Sequence, residues 1–170
     1  MDFSKWGRVN YSLVRRQQLL QQVYRLAHSL GVQDDVHDTC ETAEYFFSFH
    51  ILSRIEEFET RASAGKQSGA EVVSQCFPFH RFFVDAPQPL FHGNSFDANM
   101  EIAKGCVRYI RGIFEELNDY RAFELLRTRA HRGDYLLKKQ ARIVAMTCTH
   151  AAIARERLVE LGFKYDNIIM

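Results

Sequence analysis

The sequence predicts a mainly α protein, a long helical hairpin plus a third long helix, ending in a small C-terminal β-α-β piece. Three observations carry this. Most of the chain up to about residue 130 repeats apolar residues at helical spacing. The apolar run Ile143–Met146 then ends in Thr147-Cys148-Thr149-His150, a helical pattern follows, and the chain closes on the stub Asn167-Ile168-Ile169-Met170, which is the strand, turn, helix, strand rhythm of a parallel α/β unit. All three prolines fall between Phe77 and Leu90, so helices elsewhere are free of their commonest breaker.

After a loop-like start over Met1–Arg8, the first helix is expected over about 10–30. Leu13, Leu20, Val23, Ala27 and Leu30 form one narrow apolar stripe, and Gly31 stands where a helix-terminating glycine belongs. A second helix is expected over about 38–61, opened by Asp38 with Glu41 or by the neighbouring Thr39. Ala43, Phe46, Phe47, Phe49, Ile51, Leu52, Ile55 and Phe58 make its middle apolar nearly all round, so burial on more than one side is expected. The two helices read as an antiparallel hairpin.

Ala64-Gly65-Lys66-Gln67-Ser68-Gly69 is the clearest flexible break. The irregular segment 72–92 follows, with Phe77, Phe79, Phe82, Phe83 and Phe91 set among the prolines. It is expected to wrap its rings onto the hairpin rather than to form a peptide groove, because exposed rings at this density invite aggregation. The third helix is expected over about 95–130 with Ser95 as its cap. Gly105 and Gly112 inside it are read as close approaches of a neighbouring helix. A break at His131-Arg132-Gly133, a short turn capped by Asp134, the strand, a helix over about 150–161 and a stop at Gly162 complete the chain. The division is thus a helical part over 1–133 and a strand-helix-strand part over 134–170.

Composition bounds the class. The 170 residues, 46% hydrophobic and 25% charged, suit a globular chain large enough to bury a core. Four widely spaced cysteines read as reduced thiols of an intracellular protein. The opening residues lack a signal peptide's apolar region and no long apolar run exists, so neither secretion nor a membrane partner is expected.

The net charge of +1 hides an asymmetry. Eight acidic residues against Arg54 alone lie between Asp34 and Glu59. Ten basic against four acidic residues lie between Arg121 and Lys164. The second region can attract phosphates, or it can be an ordinary solvated face.

No self-contained active site emerges. GxxxxGK[ST], HExxH, CxxC and GxSxG are absent. Cys76 and His80 with His92 lack a second cysteine for a zinc corner, and no metal site is expected. Glu56-Glu57 and Glu115-Glu116 are adjacent helical pairs whose side chains diverge, so they read as solvated rather than catalytic. What stands out is Thr147-Cys148-Thr149-His150: hydroxyls and N–H groups at a helix start can seat a phosphate, or Thr147 or Thr149 can simply cap the helix.

Several runs, DFSKWGRVNY, TCETAEYFF, FPFH, APQPLF, MEIAKGC, FELLR, YLLKKQARIVAMTCTHAA and LGFKYDNIIM, carry a resemblance that extends over essentially the whole chain. The sequence resembles the aquarius-type intron-binding helicases of the spliceosome, a branch of superfamily 1 close to the nonsense-mediated-decay helicases. The resemblance implies a nuclear, ATP-dependent RNA helicase acting in pre-mRNA splicing, with single-stranded intron RNA and spliceosomal proteins as partners. It makes 134–170 part of a RecA-like domain and 1–133 a helical insertion. It places Thr147, and less directly Thr149 and His150, near the RNA backbone; Lys138, Lys139 and Arg142 of the basic region are the candidate cations for the same RNA. The family's nucleotide loop lies upstream of the matched region and its acidic Walker B segment downstream. ATP and Mg²⁺ are therefore expected to bind outside these residues, and no cofactor, catalytic residue or ATP hydrolysis is expected of this chain alone. The other class of reading is a non-enzymatic helical scaffold that docks a protein.

Overall fold

The computed structural model describes residues 3–32, 38–65, 69–139, 141–162 and 164. Two units emerge, one running from Val14 to Glu124, the other drawing on residues up to Leu13 and from Leu125 onward.

Helix α1 (Phe3–Ser29) starts well before the expected position. Residues 3–9 contain no proline, and once a helix is nucleated each added residue gains a bond. In the Val14–Glu124 unit α1 buries Leu19, Leu20, Val23, Leu26 and Ala27. Gly31, at φ +70°, ends the turn as anticipated, and Val32 N–H bonds the Ala27 carbonyl at 3.0 Å.

The second expected helix is one rod with a widened turn: α2 (Cys40–Phe46), a π turn over Phe47–Ile51, and α3 (Leu52–Ala64). Thr39 is the cap. Its hydroxyl accepts Thr42 N–H while its own N–H donates to Thr42 Oγ1, both at 3.1 Å. The π turn has a sequence cause. Cys40, Ala43, Phe46, Ile51, Ile55, Phe58 and Ala62 are the buried positions, and the step from Phe46 to Ile51 is one residue too long for an α-helix. The extra residue is absorbed where Leu52 N–H reaches back to the Phe47 carbonyl. Burial is therefore not all-round, because Phe49 is turned out and 62% exposed.

The short α4 (Glu71–Cys76) leads into the Phe/Pro segment. Phe77 and Phe79 are buried, and the Phe77 ring meets Phe58, Phe79 and Phe91 edge-on at 5.2–5.6 Å. Phe77 thus packs on Phe58 of α3, while Phe82 and Phe83 lie near Tyr109 of the next long helix, with centroids 6.4 and 6.0 Å away. Asn99 holds the segment's far end. Its Oδ1 accepts Gly93 N–H at 2.8 Å and its Nδ2 donates to the Ala70 carbonyl at 2.9 Å.

Ser95 caps α5 (Phe96–Asp119) by accepting Ala98 N–H at 3.2 Å. Ala103, Val107, Ile110, Ile113, Phe114 and Leu117 form its buried stripe, and Phe114 packs on Phe46 and Phe47. The reading of Gly105 and Gly112 as close approaches does not hold. Among the described residues a Cβ on Gly112 meets nothing within 4 Å, and one on Gly105 meets only the end of Arg108 at 3.9 Å. The expected third helix also stops sooner. Tyr120 ends α5, α6 (Arg121–Leu125) follows, and α7 (Arg129–Lys139) runs straight through the expected break at His131-Arg132-Gly133. Thr128 restarts the helix by accepting His131 N–H at 3.2 Å.

The β-α-β piece is not found. No strand occurs among the described residues, and Ile143–Met146 lies in an irregular link between α7 and α8 (Cys148–Glu160). A strand exists only by pairing its backbone with a neighbour, and no described segment supplies one. The second expected strand, 167–170, lies outside the described residues. What the structure supports is the mainly α class.

Candidate nucleic-acid interface

In the unit from Leu125 onward, α7 and α8 are tied by one ion pair. Arg157 Nη2 donates to both Asp134 carboxylate oxygens at 3.0 and 2.9 Å. Lys138 and Lys139 occupy the last turn of α7, where cations suit the negative end of the helix dipole, and both are exposed. Ala141 N–H closes that end on the Leu136 carbonyl at 3.0 Å. Arg142 follows in the link, also exposed.

At the start of α8, Thr147 is extended and its hydroxyl accepts His150 N–H at 3.2 Å. Of the two uses open to this threonine, capping is the one the geometry displays. Thr149 and His150 stand exposed on the first turn. The N–H groups of Cys148 and Thr149, which precede the capped one, have no partner within the helix, as in the first turn of any α-helix.

The usable positive charge is smaller than the raw count suggests. Arg157 is spent on Asp134, and Arg121, in the other unit, on Glu44. Lys138, Lys139 and Arg142 are exposed cations close to the start of α8 in the chain, and Arg127, Arg155 and Lys164 are exposed as well. The interhelical Arg157–Asp134 tie was hidden in the sequence because its partners are 23 residues apart with no spacing rule linking them.

The shifted titrations lie elsewhere, at packing positions and at the exposed Glu101–Lys104 pair, rather than in a convergent set of acid and base. Burial pushes the Cys40 and Cys106 thiols up, and hydrogen bonding to Arg15 holds the Glu116 carboxyl below the usual range. His80, weighed above as a metal ligand, donates Nε2–H to the Ser74 carbonyl and packs edge-on against Phe77 and Phe91. Among the described residues no group of three His, Cys, Asp or Glu side chains is placed to hold a metal ion. No described helix is long and apolar enough to cross a membrane.

Against known proteins, no family model matches the chain. RNA helicase aquarius of Mus musculus is 53% identical over 178 residues, covering 99% of this chain and 12% of that protein. The chain is aquarius-like. The pre-mRNA-splicing factor cwf11 of Schizosaccharomyces pombe is 25% identical over 166 residues, covering 98% of this chain and 13% of that protein. The chain thus spans about an eighth of the length of these two relatives.

Proposed function

We propose that this chain supplies the helical insertion and an RNA-facing edge of an aquarius-like, ATP-dependent RNA helicase that acts in pre-mRNA splicing in the nucleus. The observation that carries the reading is the 53% identity to RNA helicase aquarius across 99% of the chain. Agreement with a second splicing protein at 25% identity supports it. In this reading residues 1–133 are the insertion and 134–170 belong to a RecA-like domain. Single-stranded intron RNA runs past the start of α8, with Thr147, Thr149 and His150 near its backbone. Lys138, Lys139 and Arg142 then meet phosphates, whose release of counterions makes binding weaken as salt rises.

The exposure of α8 fits the same reading. The helix buries none of its residues among those described, and Ile153 and Val159 are 76% and 69% exposed. A helix with bare apolar positions is suited to packing on further protein, which a longer polypeptide would provide.

Nucleotide chemistry does not fit these residues. The sequence holds no GxxxxGK[ST] loop, and phosphoryl transfer needs that loop, a magnesium-holding carboxylate and transition-state cations together. ATP with Mg²⁺ should therefore leave the melting temperature of this chain unchanged; a magnesium-dependent shift would overturn the assignment.

The RNA reading is tested by fluorescence anisotropy of a labelled oligouridylate over a salt series. Binding should weaken with salt, and charge reversal at Lys138, Lys139 and Arg142 together should remove most of it and flatten the salt slope. Unchanged binding after charge reversal, or none at low salt, leaves the helical docking scaffold as the better account.

A further inference from the structure

On the rod formed by α2, the π turn and α3, the buried residues point one way and a second row points out. Tyr45 and Phe49 lie at the centre of that outer row, 56% and 62% exposed. Their rings are stacked on each other with centroids 4.4 Å apart and planes 33° from parallel. Helical spacing of four brings the two rings together, and the π turn is compatible with it. That turn lets Phe46 and Ile51 both reach the core while Phe49 stands out, one helical turn after Tyr45. Two large rings held together in water are an uncommon surface for a chain with a well-filled core beneath them.

The charge around the rings selects what can cover them. Glu41 lies one turn before Tyr45 and Glu56 about two turns after Phe49, on the same side of the rod. Both are exposed, and neither is ion-paired among the described residues. Arg54, the single basic residue between Asp34 and Glu59, is turned back to donate to the His50 carbonyl at 2.9 Å. Phosphates are repelled from such a face, which argues against RNA. A purely apolar partner would desolvate carboxylates without compensation. An arginine satisfies both requirements, because its planar guanidinium stacks on a ring face while its remaining N–H groups fork onto a carboxylate.

We infer that the Tyr45–Phe49 face is a docking surface for an arginine-bearing segment of a partner protein, with the rings taking the guanidinium planes and Glu41 and Glu56 the charge. The inference is independent of the RNA reading, which concerns another unit and the opposite charge.

The test uses the 170-residue chain and a labelled, alanine-based helical peptide carrying one arginine per turn, with lysine and glutamate versions beside it. Fluorescence anisotropy should show saturable binding of the arginine peptide, weaker binding of the lysine peptide and none of the glutamate peptide. The double substitution Y45S/F49S should weaken the arginine peptide about tenfold. E41Q/E56Q should weaken it and reduce its salt dependence, while Tyr45→Phe should retain it. Circular dichroism melts of these surface variants should match the parent, so lost binding reads as lost contact. Equal affinity for arginine and lysine peptides with no effect of Y45S/F49S overturns the inference. Oligouridylate binding that falls with the same substitutions also overturns it, in favour of a nucleic acid at this face.

Discussion

Glu124 closes the amino end of α2 from 84 residues away, its two carboxylate oxygens accepting the Cys40 backbone N–H at 3.2 and 3.0 Å. The same carboxylate pairs with Arg16 of α1, so one side chain joins the first helix, the second and the short helix after α5. Both partners are largely covered, at 18% and 21% side-chain exposure. Glu124→Ala should therefore cost about 2–3 kcal/mol, because it leaves an orphan N–H and a poorly compensated cation. Glu57→Ala breaks the exposed Arg61 pair one turn away on α3 and should cost less than about 0.5 kcal/mol. Urea unfolding of the two variants decides: equal costs would show that Glu124 is not the joint described.

Gly112 and Gly93 should respond to alanine in opposite directions. Gly112 sits in the helical interior of α5 with open space where a Cβ would go, so Gly112→Ala should raise stability by about 0.5–1 kcal/mol. At Gly93 a Cβ would lie 2.6 Å from Asn99 Oδ1 and 2.8 Å from the Ala98 Cβ, and Gly93→Ala should destabilise. Thermal melts give both signs. A destabilised Gly112→Ala would restore the close helix approach that the sequence suggested and the described residues do not contain.

Much of this architecture is legible where local physics decides it. Ser95 and Gly31 mark helix ends because their side-chain chemistry, or its absence, suits the orphan backbone groups there. The π turn was written as a five-residue step from Phe46 to Ile51, but an apolar Phe49 between them made it read as burial on more than one side. The unpaired link at Ile143–Met146 was not legible, because a strand is a property of two segments and the sequence displays only one. At the candidate interface, the Thr147 cap was one of two readings open from the residues. The loss of Arg157 to Asp134 was not readable, since no periodicity connects a charge on α8 to one on α7.

Asn99 is buried, 4% exposed, and has both ends of its amide in use, on Gly93 N–H and the Ala70 carbonyl. Asn99→Leu keeps the volume and deletes both bonds, leaving a donor and an acceptor without partners. The cost should be about 2–3 kcal/mol. Amide hydrogen exchange gives a sharper readout, since the Gly93 N–H should lose protection before global unfolding in the variant and keep it in the parent. Equal protection in both would mean that Asn99 does not hold the end of the Phe/Pro segment.

Glu116 supplies a pH dependence with a definite sign. Arg15 donates Nε–H and Nη2–H to its two carboxylate oxygens at 2.6 and 2.7 Å, and this bidentate bond holds its pKa below the ordinary 4.5. The folded state thus favours the ionised form. The stabilisation is present above 4.5, where the unfolded chain is also ionised, and is lost as pH falls through the lowered folded value. Both side chains are about one-third exposed, so water screens the pair and its worth near neutrality should be about 0.5–1 kcal/mol. Glu116→Gln should lower the unfolding free energy, read from urea transitions near neutral pH, by that amount. Below the folded value the difference should vanish, because a protonated glutamic acid and a glutamine then present Arg15 with the same uncharged group. High salt at neutral pH should shrink the difference as well. A gap between parent and variant that widens on acidification would mean that Arg15 does not favour the charged carboxylate.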